Sequence, residues 1–480
     1  MNALLALSAL ALVACVPLIF PGEGPAAATV FVALAGAAAL VVSRHESESR
    51  FLVRVFVAAA LVRAAVGSFI YYFQLQDFFG GDAYTYDYLG TTLTQFWKGN
   101  VSYAYYEEML GFYVHRNWGM PYTVGALYMV TGRNMLAVQM FNAVVGAATA
   151  PLIFLCARHI FQNMRVAKVS TLFVAFFPSL VLWSSQGLKD GPIVFLLVLT
   201  MLATLKAGEK VSLKYGAVLV FALYGLLCFR FYIFYMAAAA VGGAFLIGMR
   251  RQTTRSLLRQ FAVILALGVG LTYMGVLRTA ENQVDTYADF EAIQRSRRDL
   301  SRRANSGFGQ DVDVSTATGA LTAVPLGMTY LLFAPFPWQL ASLRQSITLP
   351  EMVIWWVSFP LLVTGIWFTL KFRLRQALPI LIFTSMLTLA YSIFQGNVGT
   401  AYRQRSQILV FYFIFVAVGA ILMREKRENR RRQEQVEREA ELAAIRAARL
   451  APLSLERPRP RAALGPAPHE SRDTREVTKV

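Results

Sequence analysis

Hydrophobic side chains fill most of the chain in blocks of about 17–23 residues, which short polar and charged segments separate. A helix of this length crosses the hydrocarbon core of a bilayer. The pattern therefore predicts an all-α polytopic membrane protein with about twelve transmembrane helices. The predicted spans are residues 4–20, 27–43, 51–73, 134–157, 168–185, 191–206, 213–228, 231–248, 260–277, 350–370, 377–395 and 406–423.

Two long segments interrupt this series, at residues 74–133 and 278–349. Each holds an apolar stretch that is short or broken by proline and glycine, Met120 to Gly132 in the first and Ala320 to Trp338 in the second. We expect these stretches to form helices in the membrane interface, or re-entrant segments, rather than spans.

The C-terminal end differs from the rest of the chain in composition. Residues 1–423 are predicted to form the transmembrane domain, and 424–480 a basic tail. Within the tail, residues 424–450 are rich in Glu and Arg and could be helical. Residues 451–480 are rich in proline and charge, which predicts disorder.

The basic residues mark the orientation of the spans. The chain is 56% hydrophobic and 15% charged, with a net charge of +18. Its Lys and Arg gather at the ends of apolar blocks and in the tail, which indicates membrane lipid rather than nucleic acid as the partner. The pattern predicts a multi-pass protein of the inner (plasma) membrane with both termini in the cytoplasm and the two long segments outside. The cluster from Arg295 to Arg303 departs from this rule, from which long loops are largely exempt.

An acid follows a glycine turn in the sequence "FFGGDAYTYDYLG", Phe78 to Gly90. Asp82 lies where a helix is predicted to begin, so it either caps that helix or acts as a general base on an attacking hydroxyl. Asp87 points about 140° away around the helix and does not pair with it. Tyr86 is a candidate for contacting the substrate.

Several cations are predicted at the same membrane face. In "WSSQGLKDGP", Lys189 would bind a phosphate while Asp190 orients it or holds a metal; alternatively, this is an ordinary turn that Asp190 caps. Arg230 interrupts an apolar hairpin, where it either reaches the interface or binds an anion. Arg403 and Arg405 would grip one phosphate if their segment is extended, or else anchor the interface.

An acid, cations and aromatic rings at one membrane face suit a reaction whose leaving group is a phosphate. The order of these short motifs along the chain resembles that of the GT-C superfamily of polyprenyl-phosphate-dependent membrane glycosyltransferases. This superfamily includes protein O-mannosyltransferases and aminoarabinose transferases. The resemblance extends from about residue 51 to 423 and rests on "GDAYTYDYLG", "SQGLKDGP" and "GTAYRQRSQI". It implies that Asp82 occupies the position of the family's catalytic acidic residue. The motif here reads Gly-Asp-Ala rather than a pair of acids.

The resemblance implies a glycosyltransferase that moves a hexose or pentose from a polyprenyl-phosphate carrier to a glycan, lipid or protein acceptor at the outer face. A polysaccharide polymerase or ligase acting on lipid-diphosphate-linked glycans is one alternative. A transporter or flippase of lipid-linked sugars is another, although it would require charged or broken helices near the bilayer midplane. No cofactor is assigned, a divalent cation stays an open alternative, and the identity of any protein partner stays open.

Overall fold

The computed structural model describes residues 3–44, 48–114, 117–209, 212–248, 290–302, 306–340 and 342–450, together with six positions between 265 and 273. These residues are almost entirely helical, and the predicted all-α class is confirmed. The chain divides into two compact units, Met1–Met423 and Arg424–Val480.

The described helices are numbered here in chain order. The first group is α1 Ala3–Ile19, α2 Gly24–Ser43, α3 Ser49–Tyr72, α4 Gln76–Phe79, α5 Asp82–Trp97, α6 Tyr103–Val114 and α7 Gly119–Thr131. The second group is α8 Met135–Phe161, α9 Met164–Phe176, α10 Pro178–Ser184, α11 Asp190–Glu209, α12 Leu213–Phe229 and α13 Phe231–Ile247. The third group is α14 Phe290–Arg302, α15 Ala317–Phe333, α16 Leu343–Phe372, α17 Leu374–Phe394, α18 Val398–Gln404 and α19 Ser406–Leu450.

Seven of the described helices are long and apolar enough to cross a membrane, namely α2, α3, α8, α11, α16, α17 and α19, and the bent pair α9 and α10 raises the number to eight. The apolar helices α1, α12, α13 and α15 are shorter. The chain is therefore a multi-pass membrane protein, as the sequence predicted. The count of twelve stays a prediction, and most of the proposed span 260–277 lies outside the described residues.

The proposed span 168–185 was wrong as one continuous helix. It is split between α9 and α10, whose axes are bent by 52°. Pro178 begins α10, and proline cannot donate the backbone hydrogen bond that would continue α9. The break leaves carbonyl groups of α9 without their helical partners, and in a membrane these need other donors.

Arg63 supplies those donors from α3. Its guanidinium is 1% exposed and donates to the carbonyl oxygens of Ala175 (2.7 Å) and Val174 (3.3 Å), and to Ser184 Oγ (2.8 Å). A buried charge within a span is costly unless it is hydrogen-bonded in this way. Arg63 therefore holds the bend that leads into α11.

Helix α8 forms the centre of the bundle, where it packs against α2, α3, α9 and α11. Asn134 caps it by accepting a hydrogen bond from the backbone N–H of Ala137 (2.8 Å). Glycine allows the closest helix contacts elsewhere: a Cβ at Gly327 of α15 would overlap the carbonyl oxygen of Ser392 in α17. Small residues at such contacts let helix backbones approach closely.

Both apolar stretches of the long segments are helical, as predicted. Residues 120–132 fall almost entirely in α7, which packs against α5 because Gly90 of α5 meets the side chain of Val124. The stretch 320–338 is helical as far as Phe333, in α15, and packs along α17. In the second unit, α19 continues to Leu450, so residues 424–450 are helical; the predicted disorder of 451–480 falls outside the described residues.

Candidate active site

Arg403 joins two acids that are far apart in sequence. Its Nη1 donates to Asp82 Oδ2 (2.7 Å), and its Nε donates to Asp190 Oδ2 (2.8 Å), with Nη2 2.6 Å from the same oxygen. The planar guanidinium suits such a fork, because its N–H groups point in fixed directions. Burial lowers the pKa of Arg403, but Asp190 and Asp82 outweigh burial and raise that pKa above its ordinary value.

The glycine turn sets the position of Asp82. Gly80 has a φ of 135°, which favours glycine, and it lies against the Arg403 guanidinium. Helix α5 then begins at Asp82, with Gly81 in the capping position and no side-chain capping bond. Among the described residues only Oδ2 of Asp82 is hydrogen-bonded, and the side chain is 53% exposed. The geometry therefore does not show the capping role considered as the alternative.

Asp190 is the buried member of the pair. Its side chain is 1% exposed, and its Oδ1 has no hydrogen-bond partner among the described residues. It is the first residue of α11, and its carboxylate pairs with Arg403 rather than orienting Lys189. A cation between Asp82 and Asp190 would meet the guanidinium that already bridges them.

Lys189 lies in the turn before α11. Its Nζ is 6.0 Å from the centre of the Tyr86 ring, a cation–π distance. Burial lowers the pKa of Lys189 to about 7, and the charges of Arg230 and Arg403 act in the same direction. An anion beside Lys189 would favour its charged form.

Arg230 is a buried cation that forms no ion pair with an acid in the part of the chain that the structure describes. It is 8% exposed at the junction of α12 and α13, and it lies 5.6 Å from the Tyr232 ring centre. Its Nη1 has no hydrogen-bond partner among the described residues. An unpaired buried donor of this kind costs free energy unless it meets an acceptor, which a bound anion would supply.

Three of these groups line a cavity of about 610 Å³, called the Asp82 cavity here, whose lining does not include Lys189 or Asp190. Asp82, Arg230 and Arg403 line it, together with the apolar side chains of Leu343 and Ile347 at the start of α16. Its other lining residues are Phe78, Phe79, Gly80, Leu182, Trp183, Ser306, Pro335, Ser342, Arg344, Gln345, Thr348, Asn397, Val398, Gly399, Thr400, Tyr402 and Gln404. One cavity thus combines an acid, cations and an apolar wall.

Arg405 does not share this cavity, and the expected pairing with Arg403 was wrong. The segment is helical rather than extended, with Arg403 in α18 and Arg405 at its C-terminal end, so the two side chains diverge. Arg405 is 1% exposed and donates to the carbonyl oxygens of Leu332 (3.1 Å) and Ala334 (3.2 Å). It supports the loop after α15.

Tyr86 and Asp87 lie behind the cavity wall. Tyr86 is 6% exposed and packs in a cluster with Met120 of α7, so it reaches the site through Lys189 and not through the Asp82 cavity. Asp87 accepts hydrogen bonds from Tyr128 (2.5 Å) and from Arg133 Nη2 (2.6 Å). It is thus paired, which fixes α5 against α7.

Arg344 and Trp183 are among the cavity residues that sequence reasoning missed. Arg344 lies 5.5 Å from the Phe78 ring centre, and Trp183 lies 5.7 Å from the guanidinium carbon of Arg403. Trp183 is the first residue of the quoted sequence "WSSQGLKDGP", so its position beside the predicted site residues was a signal for a role in the site. Arg344 lies just before an apolar block, where it reads as an ordinary interface anchor.

The described residues include no group of three or more His, Cys, Asp or Glu side chains arranged to hold a metal ion. Among the described residues, the site therefore consists of the bridging Arg403, the carboxylates of Asp82 and Asp190, and the nearby cations. Such an arrangement can accept a proton at Asp82 and bind an anion beside Arg230.

Comparison with known proteins agrees with the sequence motifs. A family model described as dolichyl-phosphate-mannose-protein mannosyltransferase matches residues 117–274. The predicted resemblance to the GT-C glycosyltransferases is confirmed. The match supports a membrane glycosyltransferase of the GT-C type, and the matched segment contains Lys189, Asp190 and Arg230.

No curated protein matches the chain in sequence. Among solved structures, the chain is similar to the crystal structure of the Archaeoglobus fulgidus oligosaccharyltransferase in the apo form, with 12% identity and a TM-score of 0.42. The alignment covers 82% of this chain and 52% of that one, so the chain spans about half the length of the archaeal protein.

Proposed function

We propose that the protein transfers a single sugar, a hexose or a pentose, from a polyprenyl-phosphate carrier to an acceptor hydroxyl at the outer face of the inner membrane, with both termini in the cytoplasm. The observation that carries this proposal is the Asp82 cavity, in which Asp82, Arg230 and Arg403 meet beside the apolar side chains of Leu343 and Ile347. The apolar wall suits a lipid tail, and the cations suit its phosphate.

Each charged group then has a role in one displacement. The acceptor hydroxyl gives its proton to Asp82 as its oxygen bonds to the anomeric carbon of the sugar. The bond between that carbon and the phosphate oxygen breaks, and the electron pair stays on the phosphate. Arg230 and Lys189 stabilise the negative charge of the departing lipid phosphate. Arg403 orients Asp82 through the 2.7 Å hydrogen bond to Oδ2 and leaves Oδ1 for the acceptor.

A transfer assay in membrane vesicles tests the role of Asp82. The donors are radiolabelled polyprenyl-phosphate hexoses and pentoses, and the label incorporated into the acceptor fraction is measured. We expect Asp82→Asn to lower kcat at least about 100-fold, because a general base contributes this much or more. The control is Asp77→Asn, an exposed acid of α4 that does not line the cavity, and it should retain activity. Full activity of Asp82→Asn would show that another group takes the proton.

Donor binding is measured separately from chemistry. Addition of a polyprenyl phosphate without sugar should raise the melting temperature of the wild-type protein, since a ligand that binds the folded state stabilises it. Arg230→Gln should reduce this shift, whereas Asp82→Asn should preserve it. An equal shift in wild type and Arg230→Gln would remove Arg230 from the phosphate site.

A further inference from the structure

A second cavity, of about 670 Å³, lies next to the other face of α5. It is called the Asp87 cavity here. Glu23, in the turn between α1 and α2, lines it together with Tyr72 at the end of α3, Tyr84 and Asp87 on α5, and Arg133 before α8. Four separate parts of the chain therefore build it.

The polar groups of the Asp87 cavity are held in place before any ligand arrives. Tyr71 donates to Glu23 Oε2 (2.5 Å), and Asn134 Nδ2 donates to the backbone oxygen of Glu23 (2.8 Å). Tyr84 donates to the side-chain oxygen of Gln76 at 3.3 Å. Such preorganisation lowers the cost of binding a ligand.

The side-chain amide of Gln76 has N–H donors that are not bonded to an oxygen or nitrogen acceptor among the described residues. Gln76 is 2% exposed, and among the described residues its amide nitrogen meets only the sulfur of Met135, at 3.9 Å. A side-chain amide carries two N–H donors, and a buried donor without an oxygen or nitrogen acceptor is costly. Since Gln76 and Met135 both line the cavity, a ligand there could accept from this amide.

The charge and the aromatic side chains of the Asp87 cavity lining indicate which class of ligand it could bind. Arg133 and Asp87 neutralise each other, and Glu23 is the carboxylate of the lining that has no ion-pair partner among the described residues. This carboxylate disfavours a phosphate and suits a ligand that donates hydroxyl groups. Tyr72 and Tyr84 are 60% and 39% exposed, and their rings offer flat apolar faces. Aromatic faces beside a few fixed polar groups suit a sugar ring, which has an apolar face and hydroxyl edges.

We propose that the Asp87 cavity binds an uncharged glycan. If the protein has the function proposed above, this glycan is the part of the acceptor that is distant from the reacting hydroxyl. The segment from Gln76 to Asp82 separates the two cavities, since Gln76 lines one while Phe78 and Phe79 line the other. The acceptor would pass over the Gly80–Gly81 turn to reach Asp82.

Direct binding tests the proposal without any donor. Full-length protein in lipid nanodiscs is titrated against fluorescently labelled neutral tetrasaccharides of hexoses and of N-acetylhexosamines, and anisotropy is measured. We expect at least one probe to bind, and Tyr84→Ala and Glu23→Gln each to weaken it by about 5- to 10-fold. The matched control is Tyr88→Ala, one turn further along α5, where Tyr88 contacts Tyr105 instead of the cavity.

The proposal is overturned if no probe binds the wild-type protein, or if Tyr88→Ala weakens binding as much as Tyr84→Ala. Glu23→Gln, which conserves shape, keeps the test decisive if Tyr84→Ala does not fold. Failure of the proposed function is distinguishable, because sugar transfer would then be absent while tetrasaccharide binding persists. Where transfer occurs, Tyr84→Ala should raise the acceptor KM and leave kcat nearly unchanged, unlike Asp82→Asn.

Discussion

The two ion pairs of Arg403, with Asp190 and with Asp82, should contribute unequally to the free energy of folding. Double-mutant cycles measure each contribution. The side chain of Asp190 is 1% exposed, whereas that of Asp82 is 53% exposed. Replacing Arg403 with glutamine leaves the buried carboxylate of Asp190 without its ion partner. Removing one member of a buried pair costs about 3–5 kcal/mol of folding free energy.

The contribution of Asp82 is smaller because water screens its charge. Exposed ion pairs contribute about 0–1 kcal/mol. We therefore expect Arg403→Gln to destabilise the protein by about 3–5 kcal/mol, nearly all of it through Asp190. The double variant Arg403→Gln/Asp190→Asn should recover at least about 2 kcal/mol, because the buried charge is gone. The double variant with Asp82→Asn should recover less than about 1 kcal/mol.

Unfolding of the purified proteins in mixed micelles of increasing SDS, followed by tryptophan fluorescence, gives the free energies. The two single variants Asp190→Asn and Asp82→Asn complete the two cycles. Equal coupling energies for the two acids would refute the reasoning from burial. So would an Arg403→Gln/Asp190→Asn variant that is as unstable as Arg403→Gln.

Two further predictions concern donor binding and helix packing. Burial lowers the pKa of Lys189 to about 7. If Lys189 binds the donor phosphate in its charged form, as proposed, donor affinity should be highest below pH 7 and fall as pH rises through that value. The donor KM should rise up to about 10-fold between pH 6 and pH 8, and Lys189→Arg should abolish this dependence because arginine stays charged. Gly327→Ala should destabilise the bundle by about 1–3 kcal/mol by pushing α15 away from Ser392. Gly242→Ala, where a Cβ would meet no atom within 4 Å, is its control, and both are compared by the same SDS titration.

Local chemistry made part of the site predictable. Glycine before an acid indicates a turn and a helix start, and α5 begins at Asp82. The helical period placed Asp87 on another face, and the structure pairs it with Arg133. The same reasoning failed at Arg405, because it assumed an extended backbone where a short helix forms.

Contacts between segments that are distant in sequence could not be predicted from the sequence. The sequence gives no sign that Arg403 lies between Asp82 and Asp190, since their contact depends on how whole helices pack. Arg63 was missed for the same reason: its partners are carbonyl groups that a proline frees in another helix. The length of the apolar blocks predicted the all-α class well, because the bilayer imposes the length of each span.

The hydrogen bond between Asp82 and Arg403 also has a consequence for the timing of synthesis. The two residues are 321 positions apart. At about 5–20 residues per second, a ribosome needs roughly 15 to 65 seconds to travel from one to the other. During that interval Asp82, and later Asp190 as well, are present in the nascent chain without their shared countercharge. The bridge is complete only after the segment that precedes α19 has been made, so a chain interrupted before Arg403 lacks it.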